Sequence, residues 1–241
     1  MNQDGKKRRE LIRMAGMATG GAMLWNCGGL ALEAGGAARR EFPPAGEQDV
    51  SPAEDLMREH GLLNRVLLIY EEGSWRLESR LELKPEVLAR AAGLIRRFME
   101  DYHEKLEEEH LFPRFEQAGL YVDLVRTLRA QHQAGRRLTN EIERLAKLPS
   151  LKNSGDRRRL SELLRTFIRM YRPHEAREDT VLFPAFRKIM TPQEYDALGD
   201  KFEDKEHELF GADGFEKNVE EVATLERQMG IYDLALFTPK P

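Results

Sequence analysis

Apolar residues recur at helical spacing along most of the chain after residue 50. The first periodic stretch places an apolar face at Leu56, Leu63, Val66, Leu67 and Tyr70. Ser51 and Pro52 precede this stretch as an N-cap and a first-turn proline, and Gly73 with Ser74 is expected to end the helix.

The same periodicity continues to residue 230, with glycine, proline and capping residues between the periodic stretches. The further predicted helices cover residues 85–110, 121–148 and 156–178, a short stretch from residue 191, and a last one within 211–230. No stretch alternates with a period of two for long enough to predict a strand. The pattern therefore predicts an all-α fold, an antiparallel four-helix bundle with additional C-terminal helices.

The second half of the predicted bundle repeats the first. His60 and His132 are 72 residues apart, on the first and third helices. The second and fourth helices carry a His-x-x-x-Glu motif, and corresponding residues in the two copies are 71 apart: His103 with His174, and Glu107 with Glu178. Leu-Phe-Pro follows each motif, at residues 111–113 and 182–184. The chain therefore contains an internal duplication with a period of two helices.

Residues four apart share one face of a helix, so each His-Glu pair is expected to point into the bundle. With His60 and His132, the duplication directs four imidazoles and two carboxylates to the bundle axis. A buried charge without a partner costs several kcal/mol. Two bound cations, about 3.5–4 Å apart and bridged by carboxylates, would remove this cost. Mixed imidazole and carboxylate ligands suit iron, and also manganese or zinc.

Charge and cysteine content narrow the possible partners. The net charge of the 241 residues is −4, so no strong field favours nucleic acid or an anionic membrane. The one cysteine, Cys27, excludes a disulfide framework and a cysteine-based zinc site within one chain. We expect a small-molecule ligand and no nucleic acid, while the oligomeric state is left open.

The first 38 residues are similar to a twin-arginine export signal. Arg8 and Arg9 are followed by a mildly apolar stretch that five glycines and Asn26 interrupt between Met14 and Leu32. A disordered basic tail is the alternative. This predicts a signal peptide over 1–38, a linker over 39–50, the bundle over 51–190 and a C-terminal helical extension over 191–241 that packs on the bundle. The protein is then expected to be exported to a bacterial periplasm, with only transient membrane contact through the signal.

The order H…HxxxE…H…HxxxE, with Leu-Phe-Pro after each motif, resembles the hemerythrin-like domain, also called the HHE cation-binding domain. The resemblance covers about residues 51–190, and the stretch from His207 to Pro239 is also similar to the tail of some bacterial members. It implies two iron ions with an oxo or hydroxo bridge. The implied ligands are His60 and His103 for one iron, His132 and His174 for the other, and Glu107 and Glu178 as bridges.

One position departs from the oxygen-carrying members of that family. They have a further histidine one turn after the ligand on the third helix, where this chain has Arg136. One iron would therefore lack a nitrogen ligand. The vacancy is left open to water or to one of four side chains, Glu104, Glu175, His110 and His207.

The resemblance implies a non-haem di-iron protein that binds a small oxygen-containing ligand, namely dioxygen, peroxide or nitric oxide, for sensing, storage or detoxification. The sequence leaves open whether the protein is an enzyme. One alternative is a di-iron oxidoreductase acting on peroxide or nitric oxide. Another is a metal-binding structural or buffering protein, in which the metals only hold the bundle together.

Overall fold

The computed structural model describes residues 50–147 and 151–239, which belong to a compact unit from Gln48 to Pro241. Its helices are α1 (Pro52–Ser79), α2 (residues 85–118), α3 (Val122–Leu145), α4 (residues 154–186), α5 (Pro192–Phe210) and α6 (Gly214–Met229), followed by a 3-10 turn, Leu234–Phe237. The described ranges contain no strand, so the predicted all-α class is confirmed. The predicted export signal, and the linker up to residue 49, lie outside the described residues.

The first four helices form the predicted bundle. α4 packs against α1 and α3, and α2 packs against the same two helices. An apolar core fills the bundle, with the rings of Tyr70 and Phe167 meeting edge to face at 5.3 Å. Within the described ranges, no helix combines the length and hydrophobicity needed to cross a membrane.

Two helices of the bundle change from α to π geometry. α2 consists of Pro85–Leu94, Ile95–His103 (π), Glu104–Leu106, Glu107–Leu111 (π) and Phe112–Ala118. α4 consists of Ser154–Arg177, Glu178–Leu182 (π) and Phe183–Phe186. Glu107 and Glu178 each begin a π turn, and the N–H groups of Phe112 and Phe183 donate to their carbonyls five residues back. Single π turns within α-helices are frequently found at functional sites.

The prolines that follow these π turns do not end their helices, although proline usually terminates or kinks a helix. α2 continues past Pro113 to Ala118, and α4 continues past Pro184 to Phe186. Each proline stands in the first turn of a new α segment, where its missing N–H costs least.

The start of α1 confirms the expected cap, but its end differs from the prediction. The Ser51 hydroxyl accepts from the N–H of Glu54, whose carboxylate accepts from the Ser51 N–H. The helix passes through Gly73 and ends at Ser79. A Cβ on Gly73 would lie 2.8 Å from a methyl carbon of Leu88, so this glycine allows α2 to approach α1 closely rather than ending a helix.

The start of α4 also differs by a few residues. The predicted start was residue 156, but the helix begins at Ser154 with Asn153 as its N-cap, and the side-chain oxygen of Asn153 accepts from the N–H groups of Gly155 and Asp156.

The two C-terminal helices lie against the bundle. α5 begins at a second capping box, formed by Thr191 and Glu194. The Tyr195 hydroxyl accepts from the N–H of Ala53 at 3.2 Å, which holds the start of α5 on the start of α1. α6 is joined to α1 by an ion pair between Arg65 and Glu226.

Candidate metal centre

Four buried histidines meet in two pairs inside the bundle. The Nε2 atoms of His60 and His103 lie 3.0 Å apart, and this pair is called site 1. The Nε2 atoms of His132 and His174 lie 3.3 Å apart and form site 2. Two ligand nitrogens bound at right angles to one metal ion, each about 2.1 Å from it, would lie about 3.0 Å apart. Both pairs therefore have the spacing of imidazoles that share an ion.

Two fully buried carboxylates join site 1 to site 2. Oε2 of Glu107 lies 3.8 Å from Nε2 of His103 and 3.4 Å from Nε2 of His132. Oε2 of Glu178 lies 3.5 Å from Nε2 of His60 in site 1 and 3.1 Å from Nε2 of the remaining site 2 histidine. Each carboxylate thus contacts one histidine of each pair, so the structure brings all six sequence-predicted residues together.

The donor set fits a metal ion. No oxygen of Glu107 or Glu178 has a hydrogen-bond partner among the described residues. Burial raises the pKa of both carboxyls, and the charge of Glu178 raises that of Glu107 further. Burial also lowers the pKa of His103, and lowers that of His174 to about 3, so both rings are neutral. The neutral imidazoles offer lone pairs, and the carboxylates have no hydrogen-bond donors. A bound cation is therefore the group that would stabilise all of them.

The site 1 histidines turn their outer nitrogens to carboxylates. Nδ1 of His60 lies 2.8 Å from Oδ1 of Asp179, and Nδ1 of His103 lies 2.6 Å from Oε2 of Glu59. A carboxylate only accepts, so each Nδ1 carries the proton and each Nε2 offers its lone pair to the site. Asp179 directly follows the second His-x-x-x-Glu motif, whereas Glu59 was missed in the sequence.

The site 2 histidines have the corresponding partners. Nδ1 of His132 lies 3.1 Å from Oε1 of Glu108, and Nδ1 of His174 lies 2.9 Å from Oε1 of Gln131. Glu108 directly follows the first His-x-x-x-Glu motif, whereas Gln131 was missed in the sequence. The repeat identifies Gln131 only once the role of Glu59 is known, because Gln131 stands 72 residues after Glu59 and so occupies the same place in the repeat.

The position where this chain departs from the oxygen carriers holds a buried ion-pair cluster. Arg136 lies 2.8 Å from carboxylate oxygens of Glu104 and Glu108. Its counterpart in the first half, Asn64, donates to Glu175 at 2.5 Å. Burial raises the pKa of Glu104 to about 7 and that of Glu175 to about 9, and for Glu175 the nearby acidic side chains add to the effect. Glu104 and Glu175, the two carboxylate candidates for the vacant ligand position, are therefore buried beside the centre, each with a partner of its own.

The two open histidine candidates lie elsewhere. The ring of His110 packs against that of Phe202 in α5, with the centroids 5.8 Å apart. Neither His110 nor His207 belongs to a group of converging candidate ligands in the described ranges.

Phenylalanines of the two Leu-Phe-Pro runs cover the centre. The ring of Phe112 stacks on that of His132 at 5.4 Å, and the ring of Phe183 stacks on that of His60 at 5.5 Å. Both phenylalanines are buried. They cover the ends of the imidazoles with apolar surface, as expected for a lid that limits the access of water.

A glycine on α3 makes room for a tyrosine beside site 2. A Cβ on Gly135 would lie 2.0 Å from the hydroxyl oxygen of Tyr171. That hydroxyl donates to Glu104 at 2.7 Å, and the tyrosine ring lies 5.4 Å from that of His174. This contact was not predictable from helical periodicity, because Gly135 and Tyr171 belong to different helices.

Comparison with known proteins agrees with this geometry. The model of the hemerythrin HHE cation-binding domain matches residues 51–186 and, a second time, residues 123–229. The second match begins 72 residues after the first, which is also the spacing of His60 and His132. Uncharacterized proteins of Mycobacterium bovis and of two Mycobacterium tuberculosis strains are each 44% identical over 232 residues, 96% of this chain and 91% of the relative. No solved structure matches the chain.

Proposed function

Because the chain belongs to the hemerythrin HHE cation-binding family, we propose that it is a non-haem di-iron protein that binds dioxygen, peroxide or nitric oxide for sensing, storage or detoxification. The observation that carries the proposal is that Glu107 and Glu178 each contact a histidine of both sites. Two clusters that can hold a metal ion are thereby joined into one centre. A bound iron pair would supply electrons to an oxygen-containing ligand.

The side chains have separate tasks in this proposal. The six converging residues hold the pair, and the four acceptors at the Nδ1 atoms fix each imidazole with its lone pair inward. Phe112 and Phe183 limit the access of water to the centre on the side where their rings stack on imidazoles. Arg136 replaces a nitrogen ligand of the oxygen carriers, which supports sensing or redox chemistry over simple oxygen storage.

The test compares iron-loaded with zinc-loaded full-length protein. Absorption spectra are taken without oxygen and then after addition of oxygen or nitric oxide. The proposal predicts a change for the iron form and none for the zinc form, because zinc has no accessible second oxidation state. Equal, silent spectra from both forms would instead support a structural or buffering role for the metal.

A second candidate function is a di-iron oxidoreductase that converts two molecules of hydrogen peroxide into two of water and one of oxygen. The observation that favours it is the buried Glu104, hydrogen-bonded to Tyr171 and paired with Arg136 beside site 2. Such a carboxyl can accept and return a proton during turnover. Oxygen release from added peroxide, reduced in Tyr171→Phe, would support the enzyme; binding without release would favour the first function.

We also propose that the protein is exported through its twin-arginine-like segment. The support is the arginine pair Arg8 and Arg9 before a weakly apolar stretch. Export of folded protein would suit a metal that is loaded before translocation. Fractionation of cells should find the chain in the periplasm, and Arg8→Lys with Arg9→Lys should retain it in the cytoplasm. An unchanged distribution of the double variant would contradict this proposal.

A further inference from the structure

The two halves of the metal centre have matching ligands but unequal surroundings. The first difference lies at the acceptors of the histidine Nδ1 atoms on α1 and α3. Glu59 accepts from His103 of site 1, whereas its counterpart Gln131 accepts from His174 of site 2. One site therefore has a buried carboxylate where the other has a neutral amide. A carboxylate partner makes an imidazole a stronger ligand than an amide does.

The second difference lies one turn further along the same helices. Asn64, beside site 1, is neutral and donates to Glu175. Arg136 stands at the corresponding position beside site 2 and pairs with both Glu104 and Glu108. The carboxylates near site 2 are thus neutralised by a guanidinium that site 1 lacks.

The third difference lies inside the two His-x-x-x-Glu motifs, two residues after the histidine. Lys105 pairs with Glu108 at 2.8 Å, and the residue at the corresponding place in the second motif is Ala176. The charge of Arg172 favours the ionised form of Glu175, but Arg172 is itself paired with Glu71 on the exposed surface at 2.6 Å.

All three differences give site 1 more acidic groups or fewer cations than site 2. Site 1 has three acidic side chains around it, those of Glu59, Asp179 and Glu175. Site 2 is surrounded by two carboxylates and two cations, Glu104, Glu108, Lys105 and Arg136. Two further acidic groups lie close to Glu59. Asp55 and Glu206 each have a carboxylate oxygen within 4.8 Å of a carboxylate oxygen of Glu59. Charges at such distances interact strongly where water is excluded.

We propose that the two metal positions are unequal, with site 1 binding the first ion more tightly and site 2 being the weaker, more readily exchanged position. The inference rests on the proposed function insofar as the centre must bind metal at all. It assigns Glu59 and Gln131 as the positioning residues that set the order of binding. The bridging glutamates contact both sites and therefore do not create the difference.

The experiment is a calorimetric titration of the metal-free full-length protein with Co²⁺. The wild type should bind two ions in two separate steps. Glu59→Gln, which copies the other half, should weaken the tight step by about 10–100-fold, the usual effect of losing an outer partner of a ligand. Gln131→Glu should strengthen the weak step by a comparable factor. Gln133→Glu adds the same charge at an exposed position of α3 and should leave both steps nearly unchanged.

Ligand variants assign each step to a site. His60→Gln should remove the tight step, and His132→Gln should remove the weak one. Proton NMR of the singly loaded protein provides a second readout, because Co²⁺ shifts the Nδ1–H signals of the imidazoles that hold it. In the wild type only two such signals should shift after one equivalent, and neither of these shifts should appear in the His60→Gln variant, which lacks the tight step.

The outcomes distinguish a failure of this inference from a failure of the proposed function. Two equal steps in the wild type, or loss of the tight step in His132→Gln, would overturn the inference and leave the metal centre intact. Binding of no Co²⁺ would overturn both the inference and the proposed function. If Glu59→Gln does not fold, as judged by circular dichroism, the Gln131→Glu titration decides: an unchanged weak step would overturn the inference.

Discussion

The Nε2 atoms of His60 and His103 face each other at 3.0 Å in the interior, and a carboxylate accepts from the outer nitrogen of each ring. With both protons on the outside, two lone pairs point at the same small volume. That arrangement is unfavourable unless a positive charge lies between the rings. The same arrangement at site 2 makes metal binding the common explanation for both pairs.

Loss of one ligand should lower metal content and thermal stability together. His103→Ala and Glu178→Ala each remove a ligand from the centre, so the metal-loaded protein should lose bound metal and melt at a lower temperature. Metal analysis and a thermal melt of the same sample measure both effects. His110→Ala, outside the centre, serves as the control and should retain the metal. Unchanged metal content in both ligand variants would count against the assignment.

Without metal, the buried carboxylates should destabilise the fold. Glu107→Gln replaces a buried carboxyl, which has no hydrogen-bond partner and whose ionised form is disfavoured by burial, with a neutral amide, so the metal-free variant should be more stable than the wild type by about 1–3 kcal/mol. With metal present the order should reverse, because the variant loses a ligand. Urea unfolding with and without a chelator measures both values. A variant less stable than the wild type in chelator would contradict the expectation.

The stability of the metal-free protein should fall as the pH rises from about 6.5 to 9. Burial raises the pKa of Glu104 to about 7 and that of Glu175 to about 9. Their stabilising contribution is therefore complete below the ordinary pKa of 4.5, decreases as the pH rises above it, and is fully lost above these raised values. Each such group contributes a slope of up to about 1.4 kcal/mol per pH unit. Glu175→Gln should reduce the slope in urea unfolding series.

Between about pH 4.5 and 6.5 the buried histidines should oppose the effect of the carboxyls on stability. Burial lowers the pKa of His174 to about 3 and also lowers that of His103, so their contribution is lost as the pH falls below about 6.5. Metal affinity should instead rise with pH across the whole range, because the ligands bind in their deprotonated forms. A metal-free profile that rises steadily from pH 6.5 to 9 would contradict the assigned directions.

The contact between Gly135 and Tyr171 should be sensitive to a single methyl group. Gly135→Ala places a Cβ 2.0 Å from the tyrosine hydroxyl oxygen, so it should cost about 1–3 kcal/mol of unfolding free energy by overpacking. Combination with Tyr171→Phe should recover part of the loss. Gly61→Ala on α1 is the matched control. Its Cβ meets no atom within 4 Å, so it should be neutral or slightly stabilising. Equal effects of the two alanines would contradict this account.

The duplicated motif made the centre predictable from the sequence. The 71- and 72-residue offsets identified which histidines and glutamates share a level in the bundle, and the structure brings those six side chains together. Helical periodicity and the capping boxes at Ser51 and Thr191 likewise placed helix starts correctly. These features are local or repeated, so one sequence contains enough information to find them.

Features that depend on contacts between helices were not predictable. Gly73 resembled a helix end, but it serves the close approach of Leu88 from another helix. The π turns that carry α2 past Pro113 have no simple sequence pattern. Glu59 resembled an ordinary surface glutamate of a charged helix until the fold placed it 2.6 Å from His103. Its role follows from tertiary packing, which periodicity alone does not describe.

The central claim is that this bundle holds a pair of metal ions between its two halves. X-ray absorption spectroscopy of the iron-loaded protein, combined with metal analysis, tests it most directly. The account predicts two irons per chain, nitrogen and oxygen ligands, and a second iron about 3.5–4 Å from the first. One iron per chain, or no metal neighbour at this distance, would contradict it.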